Sequence, residues 1–332
     1  MRRILFTLLR ISIGIGLLVY LARAKIIDLH VLPRLLTAWP VTIAAILLFL
    51  ADLALMAWRL CYLFSPQGMR LSFGASMQLT AMSSFFGTFL PGRTGGDVAK
   101  VFYASRGNRG RRTEIITVLL LDRVLGLFSL LLLPLLVAPM FPDLLRVKAV
   151  SAMLFVVLIL VLAILSGFLL CLFIPASVNR LIDGPMKFLP GGEVIRRSLS
   201  TVAAYRCRPG DLVRALCVSL TDNFMVVGIF ALALVVVNPA SLAPRLWVIV
   251  PMGEIANSLP LTPGGLGVGE AAFNALFRIA GLQGGADALL CWRVWNAIVS
   301  MVGLLVYLRG FRSRLIDPGP KSEPALASVV DS

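Results

Sequence analysis

Two short stretches, Leu90-Pro-Gly-Arg-Thr-Gly-Gly-Asp97 and Thr262-Pro-Gly-Gly-Leu-Gly-Val-Gly-Glu270, share a Pro-Gly-x-x-Gly core. Each interrupts an apolar segment, and each ends in an acidic residue. Proline lacks an amide proton and glycine is conformationally permissive, so both residues end helices. The sequence therefore predicts two helices that break at matching places, which is typical of a duplicated transporter core.

The correspondence between the two stretches continues without a gap as far as an arginine. The matching residues are Pro91, Gly92, Gly95, Ala99 and Arg106 in the first stretch and Pro263, Gly264, Gly267, Ala271 and Arg278 in the second. The simpler alternative is that both stretches are ordinary loops, since loops between spans are often rich in Pro and Gly. The matching arginines favour duplication.

Composition indicates a membrane protein. Of 332 residues, 59% are apolar and only 14% are charged. Several apolar runs approach the roughly 20 residues that cross a hydrocarbon core about 30 Å thick. We expect an all-α polytopic membrane protein with about six spanning helices, at residues 4–24, 40–63, 113–139, 149–175, 212–238 and 286–308.

The interrupted segments, residues 73–106 and 245–281, are predicted to be re-entrant hairpins, each of which enters and leaves the membrane from one face. Non-helical backbone at membrane depth survives only inside protein or beside a water-filled cavity, so the breaks should line a cavity. Most Lys and Arg residues fall on the cytoplasmic side if the N-terminus is inside. The first hairpin then opens from the cytoplasm and the second from the opposite face, which makes the halves, about 40–139 and 212–308, an inverted repeat.

The remaining segments complete one membrane domain, residues 1–316. Residues 177–208 combine basic and apolar side chains and are predicted to be an amphipathic linker at the interface, with an ordinary loop as the alternative. Residues 317–332 contain three prolines and are expected to form a disordered cytoplasmic tail. The first 24 residues, with Arg2, Arg3 and Ala22-Arg-Ala24 around an apolar run, resemble a cleavable signal, although a retained first span is favoured. Both termini are expected to be cytoplasmic.

Ionisable or strongly polar residues within or beside the spans are the candidate site. Asp122 and Arg123 fall in the third span, Glu254 and Asn257 lead into the second hairpin, and Arg293 falls in the last span. An ionisable group at the centre of a spanning helix costs about 2.5–3.5 kcal/mol on insertion scales, so it usually faces a partner or a wet cavity.

There are two hypotheses for the role of the two arginines. A guanidinium supplies paired donors to a phosphate, so Arg123 and Arg293 could recognise an anionic headgroup. The alternative, which does not exclude the first, is pairing between helices with Asp97, Asp122, Glu254 or Glu270. Asp97 and Glu270 could instead satisfy the amides of a helix's first turn or take part in proton coupling. The complete candidate substrate site is Pro91, Gly92, Arg93, Gly95, Asp97, Arg106, Asp122, Arg123, Glu254, Asn257, Pro263, Gly264, Gly265, Gly267, Glu270 and Arg293.

Other chemistry has little support in the sequence. His30 is the only histidine, the five cysteines show no Cys-x-x-Cys spacing, and there is no nucleotide-binding loop. The net charge of +15 is spread over loops and does not indicate nucleic-acid binding. We expect no metal, no cofactor and no catalytic constellation.

Three motifs carry a resemblance to a known family. They are Phe89-Leu-Pro-Gly-Arg-Thr-Gly-Gly-Asp97, Leu121-Asp-Arg-Val124 and Pro260-Leu-Thr-Pro-Gly-Gly-Leu-Gly-Val-Gly-Glu270. They resemble the signatures of the lysylphosphatidylglycerol synthase transmembrane-domain family, also called flippase-like integral membrane proteins. Gly87 and Thr88 depart from the family pattern, in which Asn is frequent at these positions.

The resemblance implies a multi-pass protein of the bacterial inner membrane that moves or presents a lipid. Relatives are linked to aminoacyl-phosphatidylglycerol flipping, hopanoid-associated lipid traffic and glycolipid assembly. In the synthases a soluble aminoacyltransferase domain follows the membrane part, and no such domain is expected here.

Three functions follow as hypotheses. The leading one is a lipid translocator that binds an anionic phospholipid headgroup between the two hairpins. The second is a membrane-embedded transferase acting on a lipid-linked substrate, with Asp97, Glu254 or Glu270 as a base. The third is an accessory protein that recruits a lipid-modifying enzyme. The absence of a recognisable nucleophile or metal cluster in the sequence favours the first over the second.

Overall fold

The computed structural model describes residues 31–89, 94–106, 109–173, 192–258, 262, 265–309 and 316–317. Within these residues the chain forms twelve α-helices and one two-stranded ladder, which confirms the expectation of an all-α polytopic membrane protein. The helices are α1 Val31–Thr37, α2 Trp39–Phe64, α3 Phe73–Phe89, α4 Thr94–Ser105, α5 Arg112–Val137, α6 Pro142–Leu145, α7 Lys148–Phe173, α8 Gly192–Ala203, α9 Pro209–Val237, α10 Leu246–Ser258, α11 Val268–Ile279 and α12 Gly285–Leu308.

Five helices are long and apolar enough to cross a membrane: α2, α5, α7, α9 and α12. At about 1.5 Å per residue, even the shortest of them exceeds the thickness of a hydrocarbon core of about 30 Å. They coincide with five of the six predicted spans. The sixth, residues 4–24, lies outside the described residues.

Each interrupted segment forms two short helices that pack against each other. A Cβ added to Gly96 in α4 would lie 2.3 Å from the carbonyl oxygen of Ser83 in α3. In the second pair, a Cβ on Gly253 of α10 would lie 2.6 Å from the ring of Phe273 in α11. The first helix of each pair ends close before the predicted break, at Phe89 and at Ser258, while the Pro-Gly dipeptides 91–92 and 263–264 lie outside the described residues.

The two predicted halves have the same order of elements, a long helix, a pair of short helices and a second long helix. In the first half these are α2, α3 with α4, and α5; in the second they are α9, α10 with α11, and α12. The first long helices, α2 and α9, make the most extensive contact in the described bundle. They run antiparallel, because Leu48 lies beside Gly228 whereas Arg59 bonds to Ser219.

Each half also packs one of its short helices against a long helix of the other half. Helix α3 of the first half packs on α12 of the second, and α10 of the second half packs on α5 of the first. Each short-helix pair thus packs against long helices of both halves. Apolar packing fixes this arrangement most firmly in the second half, where Phe230 stacks on Phe273 with ring centroids 4.8 Å apart and Trp295 is fully buried.

A smaller group of elements closes one end of the bundle. Helix α8, which lies within the predicted linker, packs on α5, where Thr117 Oγ1 donates to Ser198 Oγ at 3.0 Å. The buried Tyr205 hydroxyl, in the following 3-10 turn, donates to the carbonyl of Leu63. Residues 177–191 of the predicted linker lie outside the described residues.

The same end carries the two-stranded ladder. Strand β1, Arg70–Leu71, pairs antiparallel with β2, Ile316–Asp317. Asp317, the residue at which the disordered tail was expected to begin, is thus paired with Arg70. The rest of the predicted tail, residues 318–332, lies outside the described residues.

Candidate functional site

The second Pro-Gly motif meets the last long helix through Arg293. The Nε atom of Arg293 in α12 lies 2.7 Å from Oε1 of Glu270 in α11, and Glu270 is only 1% exposed. The NH2 atom of Arg293 also donates to Oδ1 of Asn257 and to the carbonyl oxygen of Gly265, both at 3.1 Å. One guanidinium therefore ties α12 to α10, to α11 and to the turn between them.

This motif needs glycine where the side chains of Asn257 and Arg293 come close to its backbone. Gly265 has a φ of +68°, a conformation that side chains disfavour, and a Cβ there would lie 2.4 Å from Asn257 Oδ1. A Cβ on Gly269 would lie equally close to the same oxygen and 3.0 Å from Arg293 NH2. The glycines thus leave the space in which Asn257 and Arg293 meet.

Glu270 also closes the start of α11. Its Oε2 accepts a hydrogen bond from the backbone N–H of Gly267 at 2.7 Å, so the carboxylate satisfies an amide that the helix leaves free. Gly267 has a φ of +79°. Glu270 therefore has both of the structural roles considered from the sequence, a first-turn cap and a partner for an arginine.

Glu254 extends this cluster one turn along α10. It is buried, and its Oε1 is 3.5 Å from Nδ2 of Asn257. Asn257 thus lies between the Glu254 carboxylate and the Arg293 guanidinium. The structure brings together Glu254, Asn257, Gly265, Gly267, Glu270 and Arg293 of the predicted site.

The first half contains the corresponding ion pair in a different environment. Asp97, in the first turn of α4, pairs with Arg123 on α5. As in the second half, a carboxylate just after the helix break binds an arginine on the long helix that follows. Here the side chains of Arg123 and Asp97 are 53% and 44% exposed, whereas those of Arg293 and Glu270 are 18% and 1% exposed.

Asp122 belongs to a separate buried network. Its Oδ1 accepts from Arg59 Nε at 2.7 Å, and its Oδ2 accepts from Lys100 Nζ at 3.0 Å. Arg59 NH1 donates further to Ser219 Oγ at 2.9 Å. Gly126 of α5 lies beside this guanidinium, since a Cβ there would be 3.5 Å from Arg59 NH1, an ordinary van der Waals distance.

Sequence reasoning missed the central member of that network. Arg59 is absent from the predicted site, although it lies within α2 and is 6% exposed. Its position inside an apolar run was the available signal, because a buried arginine needs a buried acidic partner.

A row of polar side chains on α12 connects the second motif to the first. One turn beyond Arg293, Asn296 donates from Nδ2 to Thr88 Oγ1 at 3.2 Å. Ser300 Oγ lies 3.0 Å from both Thr88 Oγ1 and Ser84 Oγ. Thr88, a departure from the family pattern, therefore still makes polar contacts at the end of α3.

The other predicted site residues are not part of these contacts. Arg106 is exposed at the end of α4, and Gly95 is half-buried in the first turn of that helix. Pro91, Gly92, Arg93, Pro263 and Gly264 lie outside the described residues.

Comparison with known proteins identifies the family. No curated protein and no solved structure matches the chain. The family model described as lysylphosphatidylglycerol synthase TM region matches residues 7–312, nearly the whole sequence. The resemblance inferred from the motifs is confirmed: this multi-pass membrane protein belongs to the family of the lysylphosphatidylglycerol synthase TM region.

Proposed function

We propose that the protein translocates an anionic phospholipid across the bilayer. The polar headgroup would occupy a cavity between two re-entrant Pro-Gly hairpins, while the acyl chains stay in the surrounding lipid. The family supports a role in lipid metabolism or translocation. The proposal depends chiefly on one observation, the repeated arginine–carboxylate pair that follows each helix break.

An arginine that already holds a carboxylate is suited to exchange it for a phosphate. The guanidinium offers planar, paired donors that fit both anions. The Arg123 side chain is 53% exposed beside Asp97, so a headgroup can reach it in this conformation. We propose that the lipid phosphate displaces Asp97 from Arg123 on binding.

The unequal burial of the two pairs supports a transport cycle. In inverted repeats, the two halves can exchange conformations, and this exchange moves access from one face of the membrane to the other. The antiparallel packing of α2 on α9 and the exchanged contacts of the short-helix pairs support such a repeat. We propose that Arg293 and Glu270 become accessible when Arg123 and Asp97 become buried.

The charge distribution supports the proposed orientation. Lysine and arginine in short loops favour the cytoplasmic side. We propose a bacterial inner-membrane protein with both termini in the cytoplasm, the first hairpin opening inward and the second outward.

Leaflet exchange of a labelled lipid tests the proposal. Purified protein is reconstituted into vesicles that contain labelled phosphatidylglycerol, and movement between leaflets is followed together with the chemical identity of the lipid. We expect faster exchange than in protein-free vesicles and no chemical change. Arg123→Gln and Arg293→Gln should each slow exchange about tenfold or more, since a hydrogen bond to a charged group contributes about 1.5–3 kcal/mol.

A matched control and two opposing results make the test decisive. Arg146→Gln removes an exposed arginine from the loop between α6 and α7 and should leave exchange unchanged. A chemically modified lipid would instead support the transferase. Unaltered lipid that exchanges no faster than in protein-free vesicles would leave recruitment of another enzyme as the better hypothesis.

A further inference from the structure

Asp52 and Asp222 form a buried carboxyl pair that the site described above does not include. Asp52 lies near the middle of α2 and Asp222 near the middle of α9. They are 7% and 8% exposed. Contacts on either side of them, Leu48 with Gly228 and Arg59 with Ser219, place the two aspartates opposite each other across the α2–α9 contact. No N–H or O–H donor in the described part of the chain reaches Oδ1 of either residue.

A hydrogen bond between two carboxyl groups has a simple chemical requirement. An ionised carboxylate only accepts hydrogen bonds, so two carboxyl groups can be bonded to each other only if one of them carries a proton. Two carboxylates that share a buried site do not both ionise readily, because like charges repel strongly in a medium of low dielectric constant. Two buried carboxyl groups that face each other with unbonded oxygens are therefore most stable when one of them carries a proton.

The surrounding charges do not replace that proton. Arg59, two turns from Asp52 on α2, attracts both carboxyl groups, but its guanidinium is bonded to Asp122 and Ser219. From α4, Lys100 is bonded to Asp122 as well. This network thus contains three carboxyl groups and two cations. One proton on the aspartate pair balances it.

Polar groups elsewhere on α9, and on α10 and α12, also have partners of their own. Asn223, next to Asp222, donates to Ser129 Oγ and to the carbonyl of Ser219. On α12, Arg293 is bonded to Glu270. On α10, Glu254 lies beside Asn257. In this arrangement these groups serve other contacts.

The position of Asp52 and Asp222 in the bundle suggests what the proton does. The aspartates lie where α2 and α9, the corresponding long helices of the two halves, cross in opposite directions. Both are more than ten residues from the ends of their helices, which places them near the centre of the bilayer. A group at this point is more than two helical turns from either end of its helix.

We propose that Asp52 and Asp222 are a proton-binding site at the centre of the bundle. In the bound state, one carboxyl group is neutral and donates to the other, which keeps its negative charge near Arg59. Release of the proton to water leaves two adjacent carboxylates, whose repulsion separates α2 from α9. Uptake of a proton from the other aqueous phase brings the helices together again. Coupling of this cycle to lipid movement rests on the proposed function.

Infrared difference spectroscopy of the full-length protein in vesicles tests the site directly. We expect the carbonyl stretch of a protonated carboxylic acid at neutral pH. Asp52→Asn and Asp222→Asn should each abolish it, because the asparagine amide donates to the remaining carboxylate in place of the proton. These isosteric variants keep the hydrogen bond, so either one is sufficient if the other folds poorly. Asp143→Asn, which changes an exposed residue, should keep the signal.

Opposite results would overturn the proton site. The proposal fails if no protonated carboxyl group is present at neutral pH or if its band persists in both Asp→Asn variants. It also fails if sodium ions abolish the band at constant pH, since the pair would then be a metal-ion site.

Exchange measurements separate this inference from the proposed function. If lipid exchange occurs, an imposed pH gradient should change its rate several-fold in the unmodified protein but not in Asp52→Asn or Asp222→Asn. If the rate of lipid exchange does not depend on the pH gradient, coupling to protons is refuted but translocation is not. The infrared band without any exchange would refute translocation and leave the proton site intact.

Discussion

Gly303 of α12 lies directly against the carbonyl oxygen of Ala81 in α3: a Cβ on Gly303 would be 2.0 Å from that oxygen. The neighbouring polar contacts of Ser300 and Asn296 with α3 depend on this close crossing. The backbone of one half is therefore in direct contact with the backbone of the other.

Gly303→Ala should separate these helices. The added methyl group has no space, and overpacking of this kind typically costs about 1–3 kcal/mol. We expect a lower midpoint of thermal unfolding in detergent. Gly167→Ala is the control, because a Cβ at Gly167 in α7 meets no atom within 4 Å. Equal midpoints for the two variants would show that the α3–α12 contact is not tight.

Asp122→Asn should strongly destabilise the bundle. The change leaves the buried Arg59 without its charged partner and weakens the contact with Lys100, and breaking a buried ion pair costs about 3–5 kcal/mol. Asp143→Asn removes a pair with Arg245 in which Asp143 is 75% exposed, so it should cost only about 0–1 kcal/mol. Chemical unfolding monitored by circular dichroism compares the two. Similar losses would mean that the Asp122 network is well solvated.

The two arginine–carboxylate pairs should respond unequally to loss of the acid. Glu270→Gln leaves a largely buried Arg293 uncompensated and should cost about 3 kcal/mol or more. Asp97→Asn acts on a half-exposed pair and should cost about 1 kcal/mol or less. Unfolding of the two variants under identical conditions measures the difference. A larger loss for Asp97→Asn would contradict the burial described here.

Alkaline pH should weaken the end of the bundle that contains Tyr205. Burial raises the pKa of the Tyr205 hydroxyl above its usual value. A group whose pKa is raised on folding contributes stability that is present below its unfolded pKa, about 10 for tyrosine, and lost as the pH rises further.

Tyr205→Phe isolates this effect. At neutral pH the variant should be about 0.5–1.5 kcal/mol less stable, because it lacks the hydrogen bond to Leu63. Above about pH 10 the difference should shrink, since only the unmodified protein has this phenol to ionise. Unfolding curves over the alkaline range provide the measurement. A difference independent of pH would show that Tyr205 ionises as easily in the folded as in the unfolded protein.

The sequence predicted the helices better than their partners. The length of an apolar run is set by the thickness of the bilayer, so the five described spans could be predicted from the sequence. Pro and Gly end helices through local geometry, so both helix breaks could be predicted as well. Glu270 and Arg293 could be named as candidates because charge is rare in such runs. The sequence could not predict which carboxylate pairs with which arginine. Asp122 is adjacent to Arg123 in sequence, yet it binds Arg59 and Lys100 from other helices.

Asp52 and Asp222 show the same limit. Each is an acidic residue in the apolar middle of a long helix, and nothing local distinguishes it from Asp122. Their contact arises from the antiparallel crossing of α2 and α9, which are far apart in the chain. Tertiary packing, and not the pattern along either helix, creates the pair.

The bond from Arg293 to the carbonyl of Gly265 has a consequence for biogenesis. During synthesis the ribosome releases the turn before the arginine that holds it, and Thr88 likewise emerges long before Asn296. Neither short-helix pair can acquire these contacts until α12 has been translated and inserted. The nascent protein therefore completes these contacts of both halves together, when α12 is inserted.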